Sequence, residues 1–224
     1  GDGAPPVAAT PPVVAPSAGG GSPDQADEPQ EPGSGGDDGP AGTQSVSPSP
    51  AAAGMYTLSL VAGDGSSGAP VAGAATLSPL GRPGQIAVDA DGAVYIADSE
   101  NHVVERVTAQ GELAVIAGTG SISPFVPRPG PATGVPLGWV DGVAIGPDGS
   151  LYVADSFIGV VFKVSGSGTL SVFAGDGMAG QLAPGSAGSA SFGHPTALAV
   201  DAAGSVFVID SIARQLAGIS PDGQ

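Results

Sequence analysis

Residues 83–120 read PGQIAVDADGAVYIADSENHVVERVTAQGELAVIAGTG, and the rest of the chain is organised around this stretch. Ile86, Ala87 and Val88 form a short apolar run that stops at Asp89-Ala90-Asp91-Gly92, a polar turn whose glycine supplies the positive φ of a tight hairpin. Val94 to Ala97 is β-branched and aromatic and ends at Asp98-Ser99-Glu100-Asn101. Val103 to Val107 and Leu113 to Ala117 follow, separated by Gln110-Gly111. Four strands joined by hairpins within this length form one small antiparallel sheet. Such a sheet cannot bury its faces alone.

The chain supplies copies of it. Ile96-Ala97-Asp98-Ser99 returns as Val153-Ala154-Asp155-Ser156 and as Val208-Ile209-Asp210-Ser211, spaced 57 and 55 residues apart. Val115-Ile116-Ala117-Gly118 returns as Val172-Phe173-Ala174-Gly175, and upstream as Leu60-Val61-Ala62-Gly63. A fixed period of one four-stranded sheet is the signature of a β-propeller. The expectation is an all-β chain of about three four-stranded blades in an incomplete ring. Residues 56–62 are expected to be an orphan fourth strand that can pair beside residues 214–219.

The frame P-x-x-I-A-V-D-x-x-G-x-V-Y-I-A-D-S-x-N-H-V-x-x-x-V, from Pro83 to Val107, resembles the NHL repeat, with Asn101-His102-Val103 at the Asn-His-Leu position. The segment Pro131-Ala132-Thr133-Gly134-Val135-Pro136-Leu137-Gly138 is similar to the inter-blade segment of bacterial extracytoplasmic members. The resemblance covers residues 57–219. It departs at Val140, where the other copies have Pro83 and Pro195, and at Ile158-Gly159 and Ala213-Arg214, which replace Asn-His. It implies a binding or scaffold module in an extracytoplasmic or secreted setting, recognising a protein, peptide or glycan by its loop face. It also leaves open a lyase or hydrolase whose catalytic residues lie in further blades.

Composition narrows the classes. The chain has 224 residues and a net charge of −16, from 21 acidic and five basic side chains. Some NHL proteins bind RNA through a basic face, but five scattered cations cannot neutralise a run of phosphates, so nucleic acid is excluded as a partner. The absence of cysteine removes disulfides and thiolate chemistry. No run is apolar and long enough to span a membrane. Residues 1–54 hold Pro, Ala, Gly, Ser, Asp and Glu with few large aliphatics, which predicts a disordered acidic linker before a repeat domain at 55–224. The chain does not open on methionine, and 220–224 reads as a turn into a fourth strand. Both features lead to the expectation of a processed chain or a piece of a longer one, the alternative being two copies that associate into a six-bladed ring.

Asp98, Asp155 and Asp210 recur at one frame position, as turn-capping carboxylates needed in every blade would, whereas a catalytic acid is needed once. Asp89, Asp91 and Gly92 lack the spacing and closing glutamate of a calcium loop. His102 and His194 are the only imidazoles, too few for a zinc cage without cysteine. No catalytic residue, metal or cofactor is therefore expected. One position varies in a telling way. The residue before the first strand is Arg82, then Trp139, then His194. A cation, an indole and an imidazole at one tolerant position suit ligand binding, with Gln85, Asp141 and Thr196 nearby.

Overall fold

A computed structural model describes residues 57–221 apart from 179, 181, 183 and 184. The linker expected over 1–54 lies outside the described residues. Thirteen strands run in chain order among them: β1 Gly73–Ala74, β2 Pro83–Val88, β3 Val94–Asp98, β4 Val103–Val107, β5 Glu112–Ala117, β6 Gly130–Pro131, β7 Val140–Ile145, β8 Leu151–Asp155, β9 Val160–Val164, β10 Thr169–Ala174, β11 Pro195–Val200, β12 Val206–Asp210 and β13 Gln215–Ile219. They form three antiparallel sheets, ordered β1-β5-β4-β3-β2, β6-β10-β9-β8-β7 and β11-β12-β13. These are three propeller blades, and β2, β7 and β11 are their inner strands.

Each connector does structural work. After β5, Gly118 N donates to Ala132 O at 3.0 Å, and after β10, Gly175 N donates to Ala187 O at 2.9 Å. The connector then makes a single 3-10 turn, at Ala132–Gly134 and at Ala187–Ser189. The first connector repeats this with Gly63 N on Ala75 O at 3.0 Å and a turn at Ala75–Leu77. Its Gly73 and Ala74 pair with Leu113 and Glu112, adding a fifth strand outside β5, and β6 does the same outside β10.

Alternation along each strand aims one face forward and one back, and the blades bury these faces against each other. Ala97 and Val104 of the first blade meet Val140, Val143 and Phe162 of the second. Tyr152, Ala154 and Val161 of the second meet Leu198, Val206 and Val208 of the third. Each large side chain buried here contributes about 1.5–3 kcal/mol of transfer free energy. Among the described residues the two end faces have no such cover, so Ile86 and Val88 in front and Ile209 and Leu216 behind are exposed.

One expectation needs correction. Residues 57–62 contain no strand, and among the described residues β13 pairs only with β12. The segment carries strand-forming residues, but no strand edge lies beside it among the described residues, and a lone extended segment has no ladder to join.

Candidate functional site

The site is built from the turns at one end of the inner strands. Asp98 is buried and accepts N–H bonds from Gly81 at 2.7 Å, Arg82 at 3.0 Å and Asn101 at 3.2 Å. Asp210 receives Gly193, His194 and Ala213 in the same way. Asp155 receives Gly138 at 2.5 Å and Ile158 at 3.0 Å. Burial pushes Asp155 up to about 6, against the pull of these donors. In each blade the carboxylate ties the end of the connector to the turn after the second strand.

These ties fix the residue that precedes each inner strand. The carbonyls of Arg82, Trp139 and His194 accept from Ser99 N, Ser156 N and Ser211 N at 3.1, 2.9 and 3.0 Å. The three side chains therefore hold equivalent positions at the same end of neighbouring strands. Trp139 is 42% exposed, and its ring centroid lies 5.1 Å from that of Phe157, which is also exposed. Beside them, Asp141 Oδ2 accepts from Ser156 Oγ at 2.5 Å. Ser211 Oγ stands 3.3 Å from His194 Nδ1, and Arg82 is exposed.

Gln85 does not join this rim, whereas Thr196 is the second residue of β11, the frame position that Asp141 holds in β7. Gln85 turns into the hub, where Oε1 accepts from Val143 N at 3.2 Å and Leu198 N at 3.0 Å, and Nε2 donates to Leu198 O at 2.7 Å. The strands approach so closely that a Cβ on Gly142 would stand 3.0 Å from Thr196 O and 3.1 Å from Gln85 Oε1. A pairing irregularity between Pro83 and Ile86 accompanies this inward turn.

His102 is a latch between blades. Its Nδ1 lies 2.8 Å from Gly138 O, next to Trp139 in the chain. It adopts φ 56°, and the equivalent Gly159 and Arg214 adopt 75° and 57°. The frame therefore needs a left-handed residue here, whichever side chain it carries. At Gly159 a Cβ would also stand 2.8 Å from Phe192 O.

Two features carry little sequence signal. Phe157 has no aromatic counterpart in the other blades, where Glu100 and Ile212 stand. Glu105 is fully buried, neither of its carboxyl oxygens has a hydrogen-bond partner among the described residues, and burial beside Asp98 pushes it up to about 8. The alignment of Glu105 with the core residue Phe162 was the available sign. A groove of about 470 Å3 elsewhere is lined by Tyr95, Arg106, Thr133 and Ser165. There Arg106 Nε donates to Tyr95 Oη at 3.2 Å, and its terminal nitrogen lies 3.5 Å from Asp89. Among the described residues no three His, Asp or Glu side chains stand together as a metal cage.

No curated protein matches the sequence. Among solved structures, a protein of unknown function from Bacteroides thetaiotaomicron is 21% identical with a TM-score of 0.50, over 57% of this chain and 32% of its own. An auxiliary nutrient binding protein from Bacteroides ovatus is 20% identical, with a TM-score of 0.48 over 59% of this chain and 36% of its own. Virginiamycin B lyase from Staphylococcus aureus is 16% identical, with a TM-score of 0.42 over 63% and 39%. The chain spans about a third of the length of these structures. The first likeness supports the propeller fold and says nothing of activity. The family model of the teneurin NHL domain matches residues 62–188, more than half of the chain, which takes in the first two blades whole. With repeats, blade order and that match in agreement, the chain belongs to the NHL-repeat propellers, in the teneurin NHL domain family.

Proposed function

We propose that this chain is a binding rather than a catalytic module, recognising a protein, peptide or glycan on the face formed by its connectors. The observation that carries this reading is the exposed pair Trp139 and Phe157. Rings of that size are normally kept from water, and two held together on a rigid turn offer an apolar platform at low entropic cost. The Asp141 carboxylate and Ser156 hydroxyl beside them supply polar groups that orient a ligand. His194 and Arg82, at the equivalent turns, extend the face with an imidazole and a guanidinium.

An extracytoplasmic or secreted setting accompanies this reading, on the strength of the inter-blade segment 131–138. Glycan and peptide arrays probed with the chain test the function. The reading expects saturable binders that Trp139→Ala loses at least tenfold while keeping the parent circular dichroism spectrum. Binders that Trp139→Ala leaves unchanged would remove the connector face as the site.

A further inference from the structure

The first and second blades fill one frame position differently, and a groove opens where they differ. Tyr95 and Tyr152 are equivalent residues of β3 and β8, paired across the ladder with Arg106 and Lys163. In the second blade the place is closed. Phe173 sets its ring edge-on to Tyr152 with centroids 5.0 Å apart, and Tyr152 is buried. Lys163 Nζ donates to Asp148 Oδ2 at 3.1 Å, which engages its charge. In the first blade Ile116 stands where Phe173 does, by the match of residues 115–118 to 172–175. With the smaller side chain there, Tyr95 is only half-buried and the groove of about 470 Å3 beside it is open.

Arg106 is the one cation on the wall of this groove. Its Nε donates to Tyr95 Oη at 3.2 Å, and its Cζ lies 5.8 Å from the ring centroid. These two contacts hold the guanidinium in place. Asp89 does not consume it. That carboxylate already accepts from Asp91 N at 3.0 Å, Ala93 N at 2.8 Å and Tyr95 Oη at 3.1 Å. Arg106 Nη2 comes only to 3.5 Å from it. The bond to Tyr95 uses one of several guanidinium N–H donors, so the terminal nitrogens keep donors for a further acceptor.

The facing walls are apolar. Ile116 comes from the first blade, and Leu151 and Val164 come from the second. Thr133, on the 3-10 turn of the connector, adds an exposed hydroxyl at the edge. Gly149 and Gly168, in the hairpin turns of the second blade, also line the groove. It therefore lies towards the end of the strands opposite to Trp139 and Phe157.

We infer that this groove is a second ligand site, for a small monocarboxylate with an apolar tail. The planar fork of a guanidinium meets a carboxylate through two parallel hydrogen bonds. One cation with an aspartate 3.5 Å away balances a single negative charge, which favours a carboxylate over a phosphate dianion. The tail is buried against Ile116, Leu151 and Val164, and the volume is that of a small-molecule site. A free short-chain acid and the C-terminus of an apolar peptide share this chemistry.

An NMR titration of the isotope-labelled full chain tests this. It is read at the Arg106 Nε–Hε signal and at the backbone N–H signals of Thr133 and Gly166, which line the groove. The probes are hexanoate, for a free acid, and N-acetyl-leucine, for a peptide terminus, each beside its uncharged amide. Saturable movement with the acids and not with the amides is expected, and the tighter acid identifies the source. Arg106→Gln is expected to weaken binding about tenfold, read at Thr133 and Gly166. Ile116→Phe, which copies the closed pattern of the second blade, is expected to abolish it. Arg214→Gln removes an exposed cation of the third blade and is expected to change nothing. Signals that stay still with both acids, or move equally with the amides, would overturn the proposal. So would binding that survives Arg106→Gln undiminished, or that Arg214→Gln weakens as much.

Discussion

The side-chain amide of Gln85 bonds both backbone groups of Leu198, which lies two blades away in the chain, donating to its carbonyl at 2.7 Å and accepting from its N–H at 3.0 Å. The same Oε1 accepts from Val143 N at 3.2 Å, so one side chain holds the inner strands of all three blades. This polar pin fixes how the blades fan out and so where the connector turns stand. It is the link between hub packing and the geometry of the Trp139 face.

Gln85→Ala is expected to cost about 2–4 kcal/mol, because it strands the N–H groups of Val143 and Leu198 and the Leu198 carbonyl without partners. Urea denaturation checks it. A shift in midpoint under 0.5 M, at about 1–3 kcal/mol per M, would mean that water satisfies these groups instead.

Stability is expected to fall as pH rises from about 5 to 8. Glu105 and Asp155 hold their protons more tightly folded than unfolded, up to about 8 and about 6, so the folded state binds more protons across that window. Their contribution is complete below the ordinary carboxylate range and is lost as pH climbs through the folded values. Asp89, Asp148, Asp176 and Asp201 act oppositely: donors from the backbone hold them low, and their contribution is lost only as pH falls below about 4. Glu105→Leu should flatten the slope and stabilise the chain by a few kcal/mol at pH 8. Thermal melts between pH 4 and 8 measure both, and an unchanged slope in the variant would refute the assignment to Glu105.

The left-handed frame position makes a graded series. Gly159→Ala should cost at least about 1–2 kcal/mol, since alanine is strained at φ 75° and its Cβ meets Phe192 O. Arg214→Gly should stay within about 1 kcal/mol of the parent, relieved strain being offset by the entropy of glycine in the unfolded chain. His102→Gly should cost about 0.5–1.5 kcal/mol more than Arg214→Gly, through its lost bond to Gly138 O. Equilibrium melts of the three variants settle the order.

The blades were legible in the sequence because each must repeat the same strands, turns and buried carboxylate; Asp98, Asp155 and Asp210 sit at one frame position for that reason. The fifth strands were not, since Gly73–Ala74 and Gly130–Pro131 are too short to show any period. Residues 57–62 read as a strand from the repeat of Leu60-Val61-Ala62-Gly63 in the last strands of the other blades, but a strand exists only where a neighbouring edge accepts it. Of the proposed rim, Trp139 was placed by its equivalence to Arg82 and His194. Gln85 was drawn there by nearness in sequence, whereas the irregular pairing at the start of β2 turns it into the hub. Glu105 escaped because an acid within an alternating strand reads as solvent-facing.

Trp139 is the single tryptophan, so its emission reports on the proposed binding face alone. Free in solution, at 42% exposure, it should emit to the red of a buried indole and be quenched by acrylamide. The most direct test of the account is a fluorescence titration of the full chain with the strongest array binder. The account predicts a saturable blue shift with loss of acrylamide quenching, at the same half-saturation as binding measured by calorimetry. Calorimetric binding that leaves the Trp139 emission and its quenching unchanged would contradict it.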